Sequence, residues 1–310
     1  MLRWILFFLP VFIFASGPWF TGPLLTPSGE VNEMGQISWQ PYLFVRHKYG
    51  EYTSGWGRKN TPNVLTIRPL IDVTYGVLPF MDIEAFPSFA YKRSEGISAV
   101  GMSDTPILIG FQVLRESYGP YIPDLRVRII ELLPFGKYDK LSRKKNGLDG
   151  EGLGSYQTGV SFDFQKLFHI THDHYFRLRF AFEWFFYPAP VHIKGLSVYG
   201  GTPKTRGRVT PGKSYFLYLS GEYTLTQHWV FATDLLYAIT EKDRFSGKTG
   251  APPGTTVEVG SPSSQLISLA PAIEYNFTEN FGLIGGAWFS VAGKNSGQFV
   301  SGVLSVVITY

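Results

Sequence analysis

Cysteine is absent from the 310-residue sequence. A disulfide scaffold, a cysteine-ligated zinc site and a thiol enzyme are therefore excluded. Charge is also scarce, because only 17% of the residues are Asp, Glu, Lys or Arg. The 28 basic residues exceed the 24 acidic ones by four, and so small an excess does not predict a nucleic acid as partner. Aromatic side chains make up 16% of the sequence and there are 34 glycines, which favours strands and turns.

Long hydrophobic runs are missing as well, apart from one at the N-terminus. Residues 4–15 are apolar, follow Arg3 and precede the small residues Ser16 and Gly17. These twelve residues are too few for a bilayer-spanning helix, which needs about twenty. The run therefore predicts a secretory signal peptide over residues 1–16.

The remaining sequence alternates apolar and polar side chains with a period of two, which is typical of strands with one apolar face. In residues 175–187, one face carries six large apolar side chains and the other carries Arg177, Arg179 and Glu183. The pattern predicts twelve strands, at residues 35–47, 63–77, 82–94, 103–117, 122–134, 154–167, 174–188, 213–225, 228–240, 263–277, 281–291 and 299–310.

The connections between these segments alternate in length. We expect long ones at residues 48–62, 95–102, 135–153, 189–212, 241–262 and 292–298, and short ones at 78–81, 118–121, 168–173, 226–227 and 278–280. Outer-membrane barrels combine an even number of antiparallel strands with short periplasmic turns and long extracellular loops. A soluble sandwich or propeller would instead show polar outer faces.

The predicted fold class is therefore all-β: a transmembrane antiparallel up-and-down β-barrel of about twelve strands over residues 35–310. Its predicted location is the outer membrane of a Gram-negative-type cell, with both termini in the periplasm. We expect the barrel to contact outer-membrane lipid and a small-molecule solute. We also expect the barrel assembly machinery to bind the C-terminal strand, which ends at Tyr310.

Fifteen charged side chains fall on the faces opposite the apolar rows. An Arg or Lys that faces lipid at mid-bilayer costs about 2–4 kcal/mol, so we expect these side chains to line the lumen. They are Arg68, Asp72, Asp82, Glu84, Lys92, Asp124, Arg126, Arg128, Asp163, Arg177, Arg179, Glu183, Glu222, Asp234 and Glu274. Two arrangements are open for the four arginines Arg126, Arg128, Arg177 and Arg179. They either face acids of the second and third strands across the lumen, or pair with other charges and fill the interior.

Residues 17–34 precede the first strand and are rich in Gly and Pro. We expect this segment to fold back into the barrel as a partial plug, because its large apolar side chains are unfavourable in water. The candidates for the plug are Trp19, Phe20, Leu24 and Leu25. The alternative is a disordered periplasmic leader.

Two long connections are rich in basic residues. Residues 135–153 contain five Lys or Arg against three acids, and residues 189–212 contain four Lys or Arg and no acid. Contact with anionic lipid headgroups or sugars is one interpretation, and an ordinary solvated loop surface is the other.

Residues suited to catalysis or metal binding are few. His169, His172 and His174 share one predicted turn, but a flexible turn is a poor metal site, so we expect no metal and no cofactor. No Gly-x-Ser-x-Gly elbow occurs, and no histidine stands beside a serine on a predicted lipid-facing position. We therefore expect no catalytic residue and no enzyme.

The segment Gly17-Pro-Trp-Phe-Thr-Gly-Pro-Leu-Leu-Thr-Pro-Ser-Gly29 leads into a strand containing Gln40-Pro41-Tyr42. With the twelve-segment pattern, this opening resembles the outer-membrane transporters grouped as the meta-pathway phenol degradation family. The motif covers Gly22 to Gly29 and Pro41-Tyr42, and the rest of the chain is similar in architecture. The resemblance implies an outer-membrane channel or facilitator for small, aromatic or hydrophobic, solutes. The alternatives are an anchoring or adhesion barrel without transport and a lipid-modifying barrel enzyme.

Overall fold

The computed structural model describes residues 17–171 and 173–310. The predicted signal peptide, residues 1–16, and His172 lie outside the described residues. The described ranges contain seventeen strands: β1 (Ile37–Tyr52), β2 (Arg58–Leu78), β3 (Met81–Ala85), β4 (Phe89–Ser94), β5 (Ile97–Met102), β6 (Thr105–Leu114), β7 (Asp124–Leu133), β8 (Gln157–Thr171), β9 (His174–Pro188), β10 (Val191–Lys194), β11 (Arg206–Thr210), β12 (Ser214–Thr224), β13 (Trp229–Thr240), β14 (Arg244–Lys248), β15 (Ser264–Thr278), β16 (Phe281–Lys294) and β17 (Ser296–Thr309). None of the helices in these ranges is long and apolar enough to cross a bilayer.

Fourteen of these strands form one closed antiparallel barrel. β1 pairs with both β2 and β17, so the sheet closes on itself there. β3 and β4 share the third position in the wall, and β5 and β6 share the fourth, which leaves twelve positions. Pro87 separates β3 from β4 because it has no N–H to donate to the ladder. The predicted twelve-stranded antiparallel barrel is confirmed.

Three of the predicted long connections are wrong, because the structure has short turns there. Residues 53–57 alone connect β1 to β2, where a loop over 48–62 is predicted. Glu95 and Gly96, with φ of +48° and +79°, form a two-residue turn between β4 and β5 where a loop over 95–102 is predicted. Asn295, with φ of +48°, alone connects β16 to β17 in place of the predicted loop 292–298. In these places the strands stay in the sheet where the apolar alternation fades. β4 and β5 pair up to Ser94 and Ile97, while the ends of β16 and β17 pair with β15 and β1. Backbone pairing does not need an apolar face.

The three longest connections, residues 134–156, 189–213 and 241–263, lie at one end of the barrel. In outer-membrane barrels the end with long loops is extracellular. The opposite, periplasmic end has turns of two to four residues after β2, β12 and β15. The predicted short connection 118–121 is longer, because it spans residues 115–123 and contains the 3-10 helix Glu116–Tyr118.

The outer wall is apolar and the inner wall is polar. On β9, Phe180 is 41% exposed, while its neighbours Arg179 and Ala181 are 7% and 0% exposed. The same alternation leaves large apolar side chains exposed around the wall, including Leu43, Ile71, Ile109, Ile129, Leu235, Ile273 and Leu304. Such a surface is unfavourable in water and favourable in lipid, so this closed barrel belongs in an outer membrane.

The facing of β9 predicts unequal effects of the same substitution. Phe180→Arg should destabilise the folded barrel by about 2–4 kcal/mol, because it places a charge in lipid. Phe185→Arg, on the same strand but facing the lumen, should fold with little loss. Urea-dependent folding into lipid vesicles, followed by tryptophan fluorescence, measures both variants. Equal losses of stability in the two variants would contradict the assignment of Phe180 to the lipid face and of Phe185 to the lumen.

Candidate functional site

Residues 17–34 lie inside the periplasmic half of the barrel, starting at its rim. The side chain of Gln227 donates a hydrogen bond of 3.0 Å to the carbonyl of Gly17. The Trp19 ring packs edge to face on His228, with 5.3 Å between the ring centroids. Asn276 donates to the Trp19 carbonyl at 3.2 Å, which holds the start of the segment against β15.

Two carboxylates inside the lumen bind the backbone of this segment. Glu274 accepts the N–H of Thr21 at 2.7 Å. Asp234 accepts the N–H groups of Leu24 and Thr26, each at 3.0 Å, and the Thr26 hydroxyl at 2.6 Å. Buried backbone N–H groups outside regular secondary structure need other partners, and these two acids provide them.

A pocket in the barrel wall receives Leu24, which is 3% exposed. The side chains that form the pocket are Ala232, Ala270, Ala272, Ile284 and Val303, from β13, β15, β16 and β17. The three alanines leave room for a leucine from another segment. Leu25 packs at the edge of the same cluster, together with the aromatic rings of Tyr42, Phe44 and Trp288.

The segment then crosses to the opposite wall. A Cβ at Gly29 would lie 2.8 Å from the backbone nitrogen of Gln165 on β8, so only glycine fits this approach. Farther along, the N–H of Val31 donates to Gln112 at 2.8 Å, and that of Asn32 donates to Asp82 at 3.2 Å. The segment therefore spans the lumen from β13 and β15 to β8, β6 and β3.

Beside the segment, the predicted lumen charges form two buried ion-pair networks. In the first network, Arg126 pairs with Asp82 at 2.8 Å and with Glu84 at 3.1 Å. Arg128 pairs with Glu84 at 3.1 Å and with Asp163 at 2.6 Å. Gly110 lies between β3 and β7, and a Cβ there would collide with Asp82 and Arg126, so the missing side chain gives this pair its room.

The second network joins β9 to β12. Arg177 donates to Glu222 at 2.7 Å, and Arg179 pairs with the same carboxylate at 3.2 Å. The Arg177 guanidinium also covers the Phe20 ring, 4.1 Å from its centroid, which links this network to the crossing segment.

These pairs decide between the two arrangements expected for the arginines. Their acids lie on neighbouring or next-neighbouring strands, so the structure has the second arrangement, in which the charges pair with one another, and not the first, in which they face acids across the lumen. The physical reason is distance: side chains on one face of adjacent strands are about 5 Å apart, so a buried charge meets its partner there first.

The remaining predicted lumen residues lie around these networks. Asp72 and Glu183 line the cavity described below. Arg68 and Lys92 contact Glu151 of the connection 134–156, at 3.5 Å and 2.9 Å. Asp124 lies at the periplasmic end, where it accepts the N–H of Glu116 at 2.7 Å.

A cavity of about 780 Å³ occupies the lumen around the segment. Besides charged groups it is lined by aromatic side chains, namely Phe20, Tyr42, Phe44, Phe86, Phe185, Phe216, Tyr218 and Trp288. The lumen residues predicted from the sequence are all charged, and the aromatic side chains of the strands are not among them. The alternation could have found several of them, because Phe185 shares a face with Arg179, and Phe216 and Tyr218 share one with Glu222.

The extracellular connections are ordered by their own contacts. Within 134–156, Glu151 is nearly fully buried against Arg68 and Lys92. Burial raises the pKa of Glu151, and the two cations oppose this shift. At the base of the same connection, Asp104 accepts the N–H of Gly136 at 2.9 Å and that of Leu153 at 2.6 Å.

Asp104 should therefore control access to this connection. Asp104→Ala removes two hydrogen bonds to a carboxylate, each worth about 1.5–3 kcal/mol, and should speed trypsin cleavage at residues 137–145 at least about tenfold. Glu258→Ala, an exposed acid in a different connection, is the control and should leave the rate unchanged. Equal cleavage rates in wild type and Asp104→Ala would show that these two hydrogen bonds do not control access to the connection.

Comparison with known proteins adds evidence on the fold. No protein-family model matches the chain, and no curated protein matches it in sequence. The fold is similar to that of the COG4313 outer membrane channel from Pseudomonas putida F1, with a TM-score of 0.66 and 13% identity over 93% of this chain and 100% of that one. The transport unit of the autotransporter AIDA-I from Escherichia coli is a weaker match, with a TM-score of 0.46 and 12% identity over 91% of this chain and 93% of that one. The chain thus has the fold of an outer-membrane β-barrel.

Proposed function

We propose that this barrel is an outer-membrane channel for small solutes with aromatic or hydrophobic character. The observation that carries the proposal is the cavity of about 780 Å³, with aromatic rings beside fixed charges. Ligand sites of this kind are mostly apolar, with a few polar groups that set orientation. Phenol-like molecules combine an apolar ring with a polar group and match this lining.

Two further points support a transport function. The resemblance of Gly22 to Gly29 and Pro41-Tyr42 to the meta-pathway phenol degradation family implies the same solute class. The Pseudomonas putida protein, described as a channel, has the same fold, so this architecture is compatible with conduction.

Within this proposal, residues 17–34 act as the plug of the channel. The segment binds the wall through side chains and isolated N–H groups and adds no strand to the sheet. It therefore leaves its site without breaking any pairing of the barrel wall. Displacement of this segment is the step that opens the lumen.

The proposal also covers export and assembly. Residues 1–16 would direct secretion, and the C-terminal strand would present the signal for the barrel assembly machinery. In the folded barrel this strand closes the wall, because Ile37 and Tyr310 exchange two backbone hydrogen bonds, of 3.0 and 2.9 Å.

Permeation into proteoliposomes tests the solute class. Vesicles containing the barrel should take up benzyl alcohol analogues carrying a charged group, which do not cross lipid unaided, faster than sugars of similar size. Trp288→Ala and Phe216→Ala should reduce this preference, since both side chains line the cavity. Exclusion of all these solutes by both the wild type and a plug-deleted variant would overturn the channel proposal. The paired charges would then favour the anchoring or adhesion barrel.

A further inference from the structure

A small sheet extends the barrel wall beyond the membrane at its extracellular end. β10, β11 and β14 pair in that order, and they adjoin β9, β12 and β13, which are neighbours in the wall in the same order. Only two residues separate β9 from β10, and three separate β11 from β12 and β13 from β14. The sheet therefore adjoins the extracellular ends of these three strands.

The two faces of this sheet differ sharply. One face is apolar and forms a buried cluster from Val191, Ile193 and Val209, with Phe245 packed against it. The other face is exposed and carries five basic side chains, Lys194, Arg206, Arg208, Arg244 and Lys248. His192, Thr210 and Ser246 complete this cationic face, which has no acidic residue on its strands.

The cationic face places like charges side by side. The register sets Lys194 opposite Arg206 and Arg206 opposite Lys248, so three cations form one row across the sheet. Directly opposed like charges destabilise a strand pair. Among the described residues, none of the five cations has an ion-pair partner, and the nearby Asp139 instead accepts the backbone N–H of Lys194 at 3.1 Å. An external anion would relieve this repulsion.

The direction of the cationic face follows from what covers the apolar one. The apolar cluster packs against Tyr138 of the connection 134–156. That connection extends across the barrel to the far wall, where Glu151 contacts Arg68 and Lys92. The apolar face is thus turned toward the barrel mouth, and the cationic face is turned outward, away from the mouth.

We propose that the cationic face binds the phosphate- and carboxylate-bearing inner saccharide of lipopolysaccharide in the outer leaflet. Strands lie about 4.8 Å apart and alternate residues about 6.8 Å apart, so the cations form a grid suited to several closely spaced anionic groups. Arginine binds phosphate through two parallel hydrogen bonds. A solute on its way to the lumen would meet the mouth and not this outward face, which favours a lipid of the surrounding membrane.

Binding of labelled lipopolysaccharide to the purified full barrel in detergent tests the proposal. Replacing Arg206, Arg208 and Lys248 by Gln should weaken binding at least about tenfold at physiological ionic strength, because each cation near an anionic surface contributes several-fold to affinity. The matched control replaces Arg143, Lys144 and Lys145 by Gln, three exposed cations of a 3-10 helix away from this sheet. It removes the same charge and should change affinity less than twofold.

Two measurements on the wild type need no variant. Dephosphorylated lipopolysaccharide should bind more weakly than the native glycolipid, and inorganic phosphate at an equal phosphate concentration should not displace the native one, since it offers single charges. Equal weakening in both triple variants, equal binding of both glycolipids, or displacement by inorganic phosphate would each overturn the proposal. Folding of every variant is checked by heat-modifiable migration on gels.

Discussion

Deletion of residues 18–30 should turn a mostly closed barrel into a steadily conducting one. The deleted residues cross the lumen between Asp234 on one wall and Gln112 on the other, which donates to the Gly29 carbonyl at 2.9 Å, so we expect their removal to open a path. Single-channel recording in a planar bilayer measures the effect. We expect conductance of the variant to rise several-fold over that of the wild type, with brief openings of the wild type giving way to a stable open level.

A point substitution tests the same mechanism without shortening the chain. Asp234→Ala removes the acceptor of three backbone N–H groups and one hydroxyl of the segment. Each hydrogen bond to a charged group is worth about 1.5–3 kcal/mol, so the open fraction should rise by a factor of ten or more. Asp124→Ala is the control, because Asp124 binds the turn at Glu116 and has no hydrogen bond to the segment. Unchanged conductance in both the deletion variant and Asp234→Ala would refute the proposal that residues 17–34 close the lumen.

Arg128→Met should destabilise the barrel by about 3–5 kcal/mol, more than any other single change to its inner wall that we propose. Arg128 is 3% exposed and pairs with Glu84 and Asp163. Its removal leaves two carboxylates close together in a buried site with one fewer positive charge. Urea-dependent folding into vesicles measures the loss.

Arg93→Met provides the matched control for this substitution. Arg93 lies on β4 and is exposed, and it forms no ion pair with any residue that the structure describes, so its replacement should cost less than about 1 kcal/mol. A double variant that also replaces Glu84 by Gln should recover part of the loss, because it removes one unpaired charge. Equal stability of wild type and Arg128→Met would show that the network contributes little to folding.

The sequence by itself determined the wall of this barrel. Alternation is a local property, since successive side chains of a strand point to opposite faces, so Phe180 and Arg179 could be assigned to lipid and lumen without knowing any partner. Because lipid tolerates few charges, every strand of the wall needs an apolar outer face. The number of segments with such a face therefore predicted the twelve positions of the wall. Alternation predicts the strands less well in the extracellular extensions around Glu95 and Asn295, where the strands stay in the sheet without an apolar face.

Only the tertiary structure decided which charges pair and where residues 17–34 lie. Arg126 reaches Asp82 because β6 pairs with both β3 and β7, and Gly110 of β6 leaves space between the two side chains. The site of Leu24 is assembled from four strands that are distant from it in sequence, so no local pattern near residue 24 could reveal it. The direction of a side chain, to lipid or to lumen, follows from the period of its own strand. Its partners depend on the register of the closed sheet, which is a property of all the strands at once.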